Sequence, residues 1–166
     1  MSQTYKHNSP FGADKDLWYM KQALVQAHKA ASRDEVPIGA VIVNSDGDIL
    51  ARSYNLVEKS NTQTAHAELR ALAKAGKKIN DWRLDGCWIY VTLQPCAMCL
   101  NSIKISRCAG IVYGAESPLF GYHLDNSTEV SLYHRDTLEI VKGVHSQDSV
   151  VLLKQFFKQK RKHKSG

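Results

Sequence analysis

The chain has 166 residues, of which 43% are hydrophobic, and this is enough for one domain with an apolar core. It contains no run of about 18 apolar residues, which excludes a membrane-spanning helix, and its polar N-terminus lacks the apolar centre of a signal peptide. Four cysteines, two of them in a metal-like motif, suit a reducing compartment better than a disulfide framework. We therefore expect a single domain over 1–166 in a cytoplasmic protein.

The formal net charge of +6 is concentrated at the C-terminus. Residues 154–166 contain six Lys and Arg and no acidic residue, whereas the preceding 153 residues contain 16 basic and 16 acidic residues. A basic segment that includes Phe156 and Phe157 favours a polyanionic partner, with nucleic acid first. The alternative is a solvated helix end, where cations complement the helix dipole.

Hydrophobic periodicity predicts helices that alternate with strands. Helices are predicted at 14–33, 66–76, 96–106 and 147–160, and strands at 36–43, 49–54, 87–93, 109–114 and 138–144. The first two strands, joined by a turn at 44–48, form a hairpin. The other strands alternate with helices, a pattern typical of a largely parallel sheet with helices on both faces. The sequence therefore predicts an α/β fold with a mixed sheet.

The sequence also predicts three details of this arrangement. The strand at 138–144 is expected at an edge of the sheet. The last helix is expected to turn Val150, Leu153 and Phe157 inward. The segments 56–65 and 115–136 are expected to be irregular.

Two short motifs carry most of the chemistry. Cys96 and Cys99 follow Pro95 and lie on nearly the same face of the predicted helix, because they are three residues apart. His66 and Glu68 are two residues apart, about 200° around an ideal helix, so both reach one point only at an irregular helix start. We therefore expect two helix N-termini to converge on one metal ion.

A catalytic zinc ion takes three protein ligands and leaves a position open for water. Two thiolates, one imidazole and one carboxylate that moves protons fit this arrangement, and H-x-E followed by P-C-x-x-C is the signature of zinc deaminases. The alternatives are a closed structural site with four ligands, or a cysteine pair without a function. Cys87 and Cys108 stand singly at the starts of apolar runs, and we interpret them as buried core thiols.

The sequence resembles the bacterial tRNA-specific adenosine deaminases, which belong to the cytidine deaminase-like superfamily. The resemblance extends from about residue 14 to residue 162 and is carried by the stretches VPIGAVIV, TAHAE at 64–68, LQPCAMC at 93–99, SRCAGIVYGA at 106–115 and the terminal FFKQKRK. It implies a three-layer α/β/α fold with a five-stranded mixed sheet. It also implies that His66, Cys96 and Cys99 hold one zinc ion per chain and that Glu68 is the catalytic proton carrier.

The same resemblance implies how RNA is bound. The substrate would be a tRNA anticodon stem-loop, in which the wobble adenosine becomes inosine, and the enzyme would be a homodimer. Asn55 would contact the target base, although its position after a strand would also suit the start of a loop. Phe156 and Phe157 align with paired aromatic residues near the anticodon loop.

The sequence departs from the family pattern at two places, and other functions compete. Gln94 stands where the family usually has Glu, and 116–127 lack the usual Asp-containing, Gly/Ala-rich pattern. A deaminase of free guanine or cytosine would have nearly the same zinc motif but would not need a basic aromatic tail. A catalytically silent RNA-binding subunit with structural zinc would be expected to lack Glu68.

Overall fold

A computed structural model of the chain describes residues 3–124 and 138–164. Within these residues one sheet contains six strands: β1 (Gln3–Tyr5), β2 (Gly39–Val43), β3 (Ile49–Tyr54), β4 (Trp88–Leu93), β5 (Gly110–Ala115) and β6 (Leu138–Lys142). Their order across the sheet is β1-β6-β5-β4-β2-β3. β2 is antiparallel to both β3 and β4, and the other neighbouring pairs are parallel. The predicted mixed sheet is confirmed.

The sheet corrects two expectations. It has six strands in place of five, because the short strand β1 pairs with β6 in parallel. For the same reason β6 is an inner strand between β1 and β5, and its prediction as an edge strand is wrong. β1 has only three residues, and its partner β6 lies far away in the chain. A segment this short shows no hydrophobic periodicity, so the sequence does not predict it as a strand.

The helices cover both faces of the sheet. They are α1 (Ala13–Ala31), α2 (Val57–Ser60), α3 (Ala67–Ile79), α4 (Ala97–Ile105) and α5 (Ser146–Lys164). One core cluster joins α1 to Trp88 and Tyr90 of β4, and another joins α3 and α4 to Ile89 and Val91 of the same strand. α5 packs beside α1 and against β5. The alternating side chains of β4 thus face two different layers, which confirms the three-layer α/β/α arrangement.

The hairpin turn follows from local chemistry. Asn44 Oδ1 accepts hydrogen bonds from the backbone N–H groups of Asp46 and Asp48, at 3.1 and 2.8 Å. Gly47 adopts φ 90°, a conformation that is easily reached only without a Cβ. The predicted turn at 44–48 is confirmed, and β3 begins at Ile49 as predicted.

The segment 56–65 is more ordered than predicted. It contains α2 and a 3₁₀ turn at Gln63–Ala65. The cause is a distant one: the carboxylate of Glu35, which is fully buried, accepts hydrogen bonds from the backbone N–H groups of Glu58 and Lys59 at 3.1 and 2.7 Å. These N–H groups have no partner within their own helix turn, so the carboxylate stabilises α2 from outside.

The register of α5 also differs from the prediction. Its buried residues are Ser149, Leu152 and Phe156, one position away from the predicted inward set. The helix approaches β5 closely at Gly114, where a Cβ would lie 2.8 Å from Ser149 Oγ. A small side chain on the helix and a glycine on the strand favour this face, although the neighbouring face is the more apolar one.

Two further points complete the fold. The predicted irregular segment 115–136 is described only as far as residue 124, with a 3₁₀ turn at Tyr122–Leu124, and its remaining residues lie outside the described part. Among the helices within 3–124 and 138–164, none has both the length and the apolar character needed to cross a membrane.

Candidate metal centre and active site

Two helix starts meet at the carboxyl end of β4. His66 is the N-cap of α3 with φ −61° and ψ 147°, and Cys96 is the N-cap of α4 with φ −72° and ψ 169°. Both residues have an extended backbone, which directs their side chains towards the space beyond the helix end. Cys99 lies in the first turn of α4 and faces the same point. Strand β4 delivers the chain directly to Pro95, which precedes the cap. The expected convergence of two helix N-termini is observed.

The distances within this group suit a zinc ion. His66 Nδ1 lies 3.8 Å from Cys96 Sγ and 3.4 Å from Cys99 Sγ, and the three ligand atoms all lie within 4.8 Å of one another. Zinc bonds of about 2.0–2.1 Å to nitrogen and about 2.3 Å to sulfur, set in a tetrahedron, separate two ligand atoms by about 3.5–3.8 Å. The three donors therefore suit zinc, and the two nitrogen–sulfur distances are close to tetrahedral values.

Glu68 lies beside this group but does not belong to it. It is only 4% exposed, and among the described residues the potential ligand group consists of His66, Cys96 and Cys99 alone. Burial, opposed by its own backbone N–H at the helix start, raises the pKa of Glu68 to about 7. A carboxyl group with a pKa near neutrality can both accept and donate a proton.

The pKa values of the two thiols are shifted in opposite directions. A hydrogen bond from Cys99 lowers the pKa of Cys96 to about 4, and the same bond, together with burial, raises the pKa of Cys99. The hydrogen bond to Cys96 also raises the pKa of His66. Because metal ligands must be deprotonated, binding of a metal ion releases protons from this group.

A cavity of about 690 Å³ opens beside these residues. His66, Glu68 and Cys96 form part of its wall, α5 contributes Leu153 and Phe157, and the segment 116–120 after β5 contributes the rest of one side. The volume lies within the range of about 300–1,000 Å³ that is typical of small-molecule sites. The metal-ligand group and the buried carboxyl therefore face a pocket that is large enough for an organic substrate.

The three predicted RNA-contacting residues occupy different environments. Asn55 directly follows β3, is 5% exposed and donates its backbone N–H to the carbonyl of Ile38, which lines the cavity. Asn55 itself is not part of the cavity wall. Phe157 is 44% exposed at the wall, whereas Phe156 is 7% exposed and faces inward, with its ring edge-on to that of Phe157 at 5.3 Å.

Gln94, for which the sequence predicts no role, is buried next to the candidate metal group. The side chain is 5% exposed, lines the cavity, and accepts a hydrogen bond from the backbone N–H of Ser117 at 3.0 Å through Oε1. This bond attaches the segment after β5 to the strand end that carries Pro95. The position of Gln94, immediately before the metal motif, was the available signal.

Comparison with known proteins agrees with this geometry. The family model described as the cytidine and deoxycytidylate deaminase zinc-binding region matches residues 13–115, which identifies the class as zinc-dependent deaminases. A tRNA-specific adenosine deaminase of Bacillus subtilis (strain 168) is 40% identical over 154 residues, which cover 92% of this chain and 94% of the relative. The chain belongs to the family of tRNA-specific adenosine deaminases.

Two solved structures extend the comparison. One comes from studies of A-to-I editing by tRNA deaminases at the wobble position of transfer RNA; it superposes with a TM-score of 0.73 at 36% identity and covers 82% of this chain and 99% of that chain. A guanine deaminase from Bacillus subtilis is 40% identical over a smaller part, with a TM-score of 0.57 and coverage of 60% of this chain and 63% of that chain. The fold is therefore shared with deaminases of different substrates.

Proposed function

We propose that this chain catalyses the zinc-dependent hydrolytic deamination of adenosine to inosine at the wobble position of a tRNA anticodon. The observation that carries the proposal is the group of His66, Cys96 and Cys99 around one point, with the buried carboxyl of Glu68 beside it at the wall of a large cavity. Relatives that match nearly the whole chain are named tRNA-specific adenosine deaminases, which supports this substrate over a free base.

In this proposal His66, Cys96 and Cys99 hold one zinc ion per chain. Zinc bound there supplies the Lewis acidity that activates water as a nucleophile near neutral pH. Two thiolate ligands neutralise most of the charge of the ion, so a base is needed close by, and Glu68 is that base. It takes a proton from the attacking water and passes it to the ring nitrogen next to the reacting carbon.

The second proton transfer completes the reaction. The water oxygen bonds to the carbon that carries the exocyclic amine, and Glu68, which has given up its first proton, takes the remaining proton of that oxygen and delivers it to the amine, which leaves as ammonia. The water oxygen becomes the carbonyl oxygen of inosine. The same buried carboxyl thus acts first as a base and then as an acid, a role that suits a group that is near the site but outside the metal ligands.

Substrate binding follows from the surroundings of the cavity. The target base must leave its stack to enter, which costs little in a single-stranded loop. Phe157, exposed at the cavity wall, offers a stacking surface worth about 1–3 kcal/mol, and Phe156 supports its ring from beneath. We assign to Asn55, at the end of β3, hydrogen bonds to the target nucleotide.

The remaining expectations from the sequence are also part of the proposal. The chain is proposed to be one domain over 1–166, to act in the cytoplasm and to form a homodimer. Light scattering coupled to size exclusion tests the last point, since a dimer has twice the mass of the 18.6 kDa chain.

One assay separates the competing functions. The purified chain is given a bare anticodon stem-loop, free guanine and free cytosine, and inosine formation and ammonia release are measured, with Glu68→Ala as the inactive control. Inosine in the stem-loop alone supports the proposal. Ammonia from a free base without inosine would favour the free-base deaminase, and RNA binding without any turnover would favour the silent subunit.

A further inference from the structure

The edge of the sheet formed by β3 carries a group of cations that cannot be recognised from the net charge along the sequence. We call them the β3-edge cluster: Lys29 in the last turn of α1, Arg33 just after that helix, Arg52 on β3, and Arg70, Lys74 and Lys78 on α3. Arg70 is half-buried, and the other five are exposed. Although acidic and basic residues are equal in number before residue 154, folding collects six of the cations on one surface.

The hydrogen-bond acceptors of this cluster are backbone carbonyl groups, which do not neutralise its positive charge. Lys74 Nζ donates to the carbonyl of Arg52 at 2.9 Å, Lys78 Nζ donates to the carbonyl of Ile49 at 3.3 Å, and Arg70 donates to the carbonyl of Tyr54. These acceptors are neutral. None of the salt bridges within the described ranges involves a member of the cluster. Burial and then repulsion from Arg70 and Lys29 lower the pKa of Lys74, which agrees with cations held close together.

One end of the cluster lies beside the candidate active site. The guanidinium groups of Arg33 and Arg70 lie over the ring of Tyr54, at 5.1 and 4.9 Å from its centre, and Tyr54 directly precedes Asn55. The backbone N–H of Arg70 bonds to the carbonyl of His66, one helical turn earlier. From His66 the cations follow α3 to Lys78, about 18 Å along the helix axis at about 1.5 Å per residue.

The cluster also adjoins the basic end of α5. Lys160 contacts the carboxylate of Asp34, the residue next to Arg33, and α5 packs beside α1. The two positive surfaces are therefore neighbours. Cations at an exposed strand also hinder edge-to-edge pairing, which would account for Lys74 and Lys78. Protection of the strand edge does not explain Lys29, because none of the described hydrogen bonds joins Lys29 to a β3 carbonyl.

We propose that the β3-edge cluster binds the phosphate backbone of the RNA stem that carries the target loop, as a second phosphate-binding surface beside the α5 tail. The inference rests on the proposed function, because it takes the polyanion to be the stem of the substrate. Lys and Arg that neutralise phosphates release counterions, so each neutralised phosphate contributes about 0.7–0.9 to the slope of log affinity against log salt.

The test compares two full-length variants with the same loss of charge. Lys29→Gln/Lys74→Gln removes two cations of the cluster. Lys6→Gln/Lys15→Gln removes two elsewhere: Lys6 follows β1 at the opposite edge of the sheet, and Lys15 lies at the other end of α1 from Lys29. Affinity for an anticodon stem-loop and for a single strand of the loop sequence is measured by fluorescence anisotropy from low to high salt.

We expect the cluster variant to bind the stem-loop more weakly, with a salt slope reduced by about 0.7–0.9 for each phosphate that is no longer neutralised, and to bind the single strand as the unchanged chain does. The control variant should keep the slope for both probes. Equal effects of the two variants would mean that only net charge matters, and no effect of either would reduce the cluster to protection of the strand edge. Either result overturns the proposal.

Two controls keep the outcome unambiguous. Melting temperatures show whether a variant is folded, and Lys29→Gln alone repeats the test without touching a β3 carbonyl. The binding measurement needs no turnover. Failure of the unchanged chain to form inosine would therefore count against the proposed function, whereas an unchanged salt slope in the cluster variant would count against the cluster only.

Discussion

At the first turn of α3, two residues that are only two positions apart face different partners. His66 precedes the helix with an extended backbone, and its Nδ1 approaches both thiols, whereas Glu68 lies inside the first turn and is buried beside Cys99. A regular helix would direct these side chains about 200° apart. Because of the irregular start, the metal binding proposed for His66 and the proton transfer proposed for Glu68 can be tested by separate substitutions.

The first prediction concerns Glu68. Glu68→Ala should abolish deamination and retain about one zinc ion per chain, because the carboxyl lies outside the ligand group. Metal analysis and inosine formation on the stem-loop measure the two effects. Cys96→Ala and His66→Ala are the matched variants, and each should lose zinc and melting temperature together. Loss of zinc from Glu68→Ala would make Glu68 a ligand and would contradict the proton-transfer role.

The second prediction concerns Asn55. Asn55→Ala should lower kcat/KM sharply while zinc content and melting temperature stay nearly unchanged, because the residue is assigned to the nucleotide and its structural bond uses only the backbone N–H. A change within about twofold would correspond to less than 1 kcal/mol of transition-state binding. Asn55 would then be only the first residue of a loop.

At the scale of elements, one buried carboxylate stabilises the segment that leads from β3 to His66. Glu35 lies between α1 and β2 and binds the N-terminus of α2, and the chain from α2 leads through the 3₁₀ turn at Gln63–Ala65 to His66. The backbone N–H of Leu56 bonds to the carbonyl of Ala65, which closes this segment into a compact loop. The position of His66, a candidate metal ligand, therefore depends on a residue about thirty positions earlier.

The third prediction follows from this contact. Glu35→Ala leaves the N–H groups of Glu58 and Lys59 without their acceptor, and we expect a loss of about 1–3 kcal/mol in the free energy of unfolding. Urea unfolding measures it. Glu35→Gln keeps one acceptor oxygen and should lose less, and Glu58→Ala, at a side chain outside the core, should change little. Equal stability of Glu35→Ala and the unchanged chain would show that the contact is not needed.

The fourth prediction separates the two aromatic residues of α5. Phe156→Ala empties a buried position and should cost about 3 kcal/mol of stability. Phe157→Ala, at the cavity wall, should leave the melting temperature nearly unchanged and weaken stem-loop binding by about 1–3 kcal/mol. The salt slope should be unchanged, because stacking releases few ions. The opposite pattern would place Phe157 in the core and Phe156 at the RNA.

At the scale of the whole molecule, the candidate zinc-ligand group and the basic tail lie on different parts of the fold. The ligands sit at the carboxyl end of β4, whereas the six tail cations begin at Lys154 and continue along α5. Leu153 and Phe157 are the residues of α5 that line the cavity beside the candidate site. Chemistry and RNA affinity should therefore respond to different changes.

The fifth prediction tests this separation. A chain that ends after Phe157 loses five of the six tail cations and keeps both aromatic residues. Zinc content should be unchanged, affinity for the stem-loop should fall, and the salt slope should fall by about 0.7–0.9 for each phosphate that the tail no longer neutralises. Turnover of a very short substrate should change little. Binding and deamination of the stem-loop equal to those of the full chain at several salt concentrations would make the tail a solvated helix end.

The sequence by itself determined the features that depend on near neighbours. The H-x-E and P-C-x-x-C spacings indicated the metal group and the two helix starts, and the alternation of apolar runs predicted the layers and most element boundaries, including β3 at Ile49–Tyr54. These features are set by backbone geometry within a few residues. The hairpin turn belongs with them, since Asn44 and Gly47 specify it locally.

Only the tertiary structure decided the features that depend on residues far apart. β1 found its partner in β6, the carboxylate of Glu35 ordered α2, and close approach at Gly114 selected which of two apolar faces α5 buries. The β3-edge cluster is the clearest case, because α1, β3 and α3 contribute cations whose charges cancel against acids when counted along the chain. Charge acts through space, and the fold brings these cations from three parts of the chain to one surface.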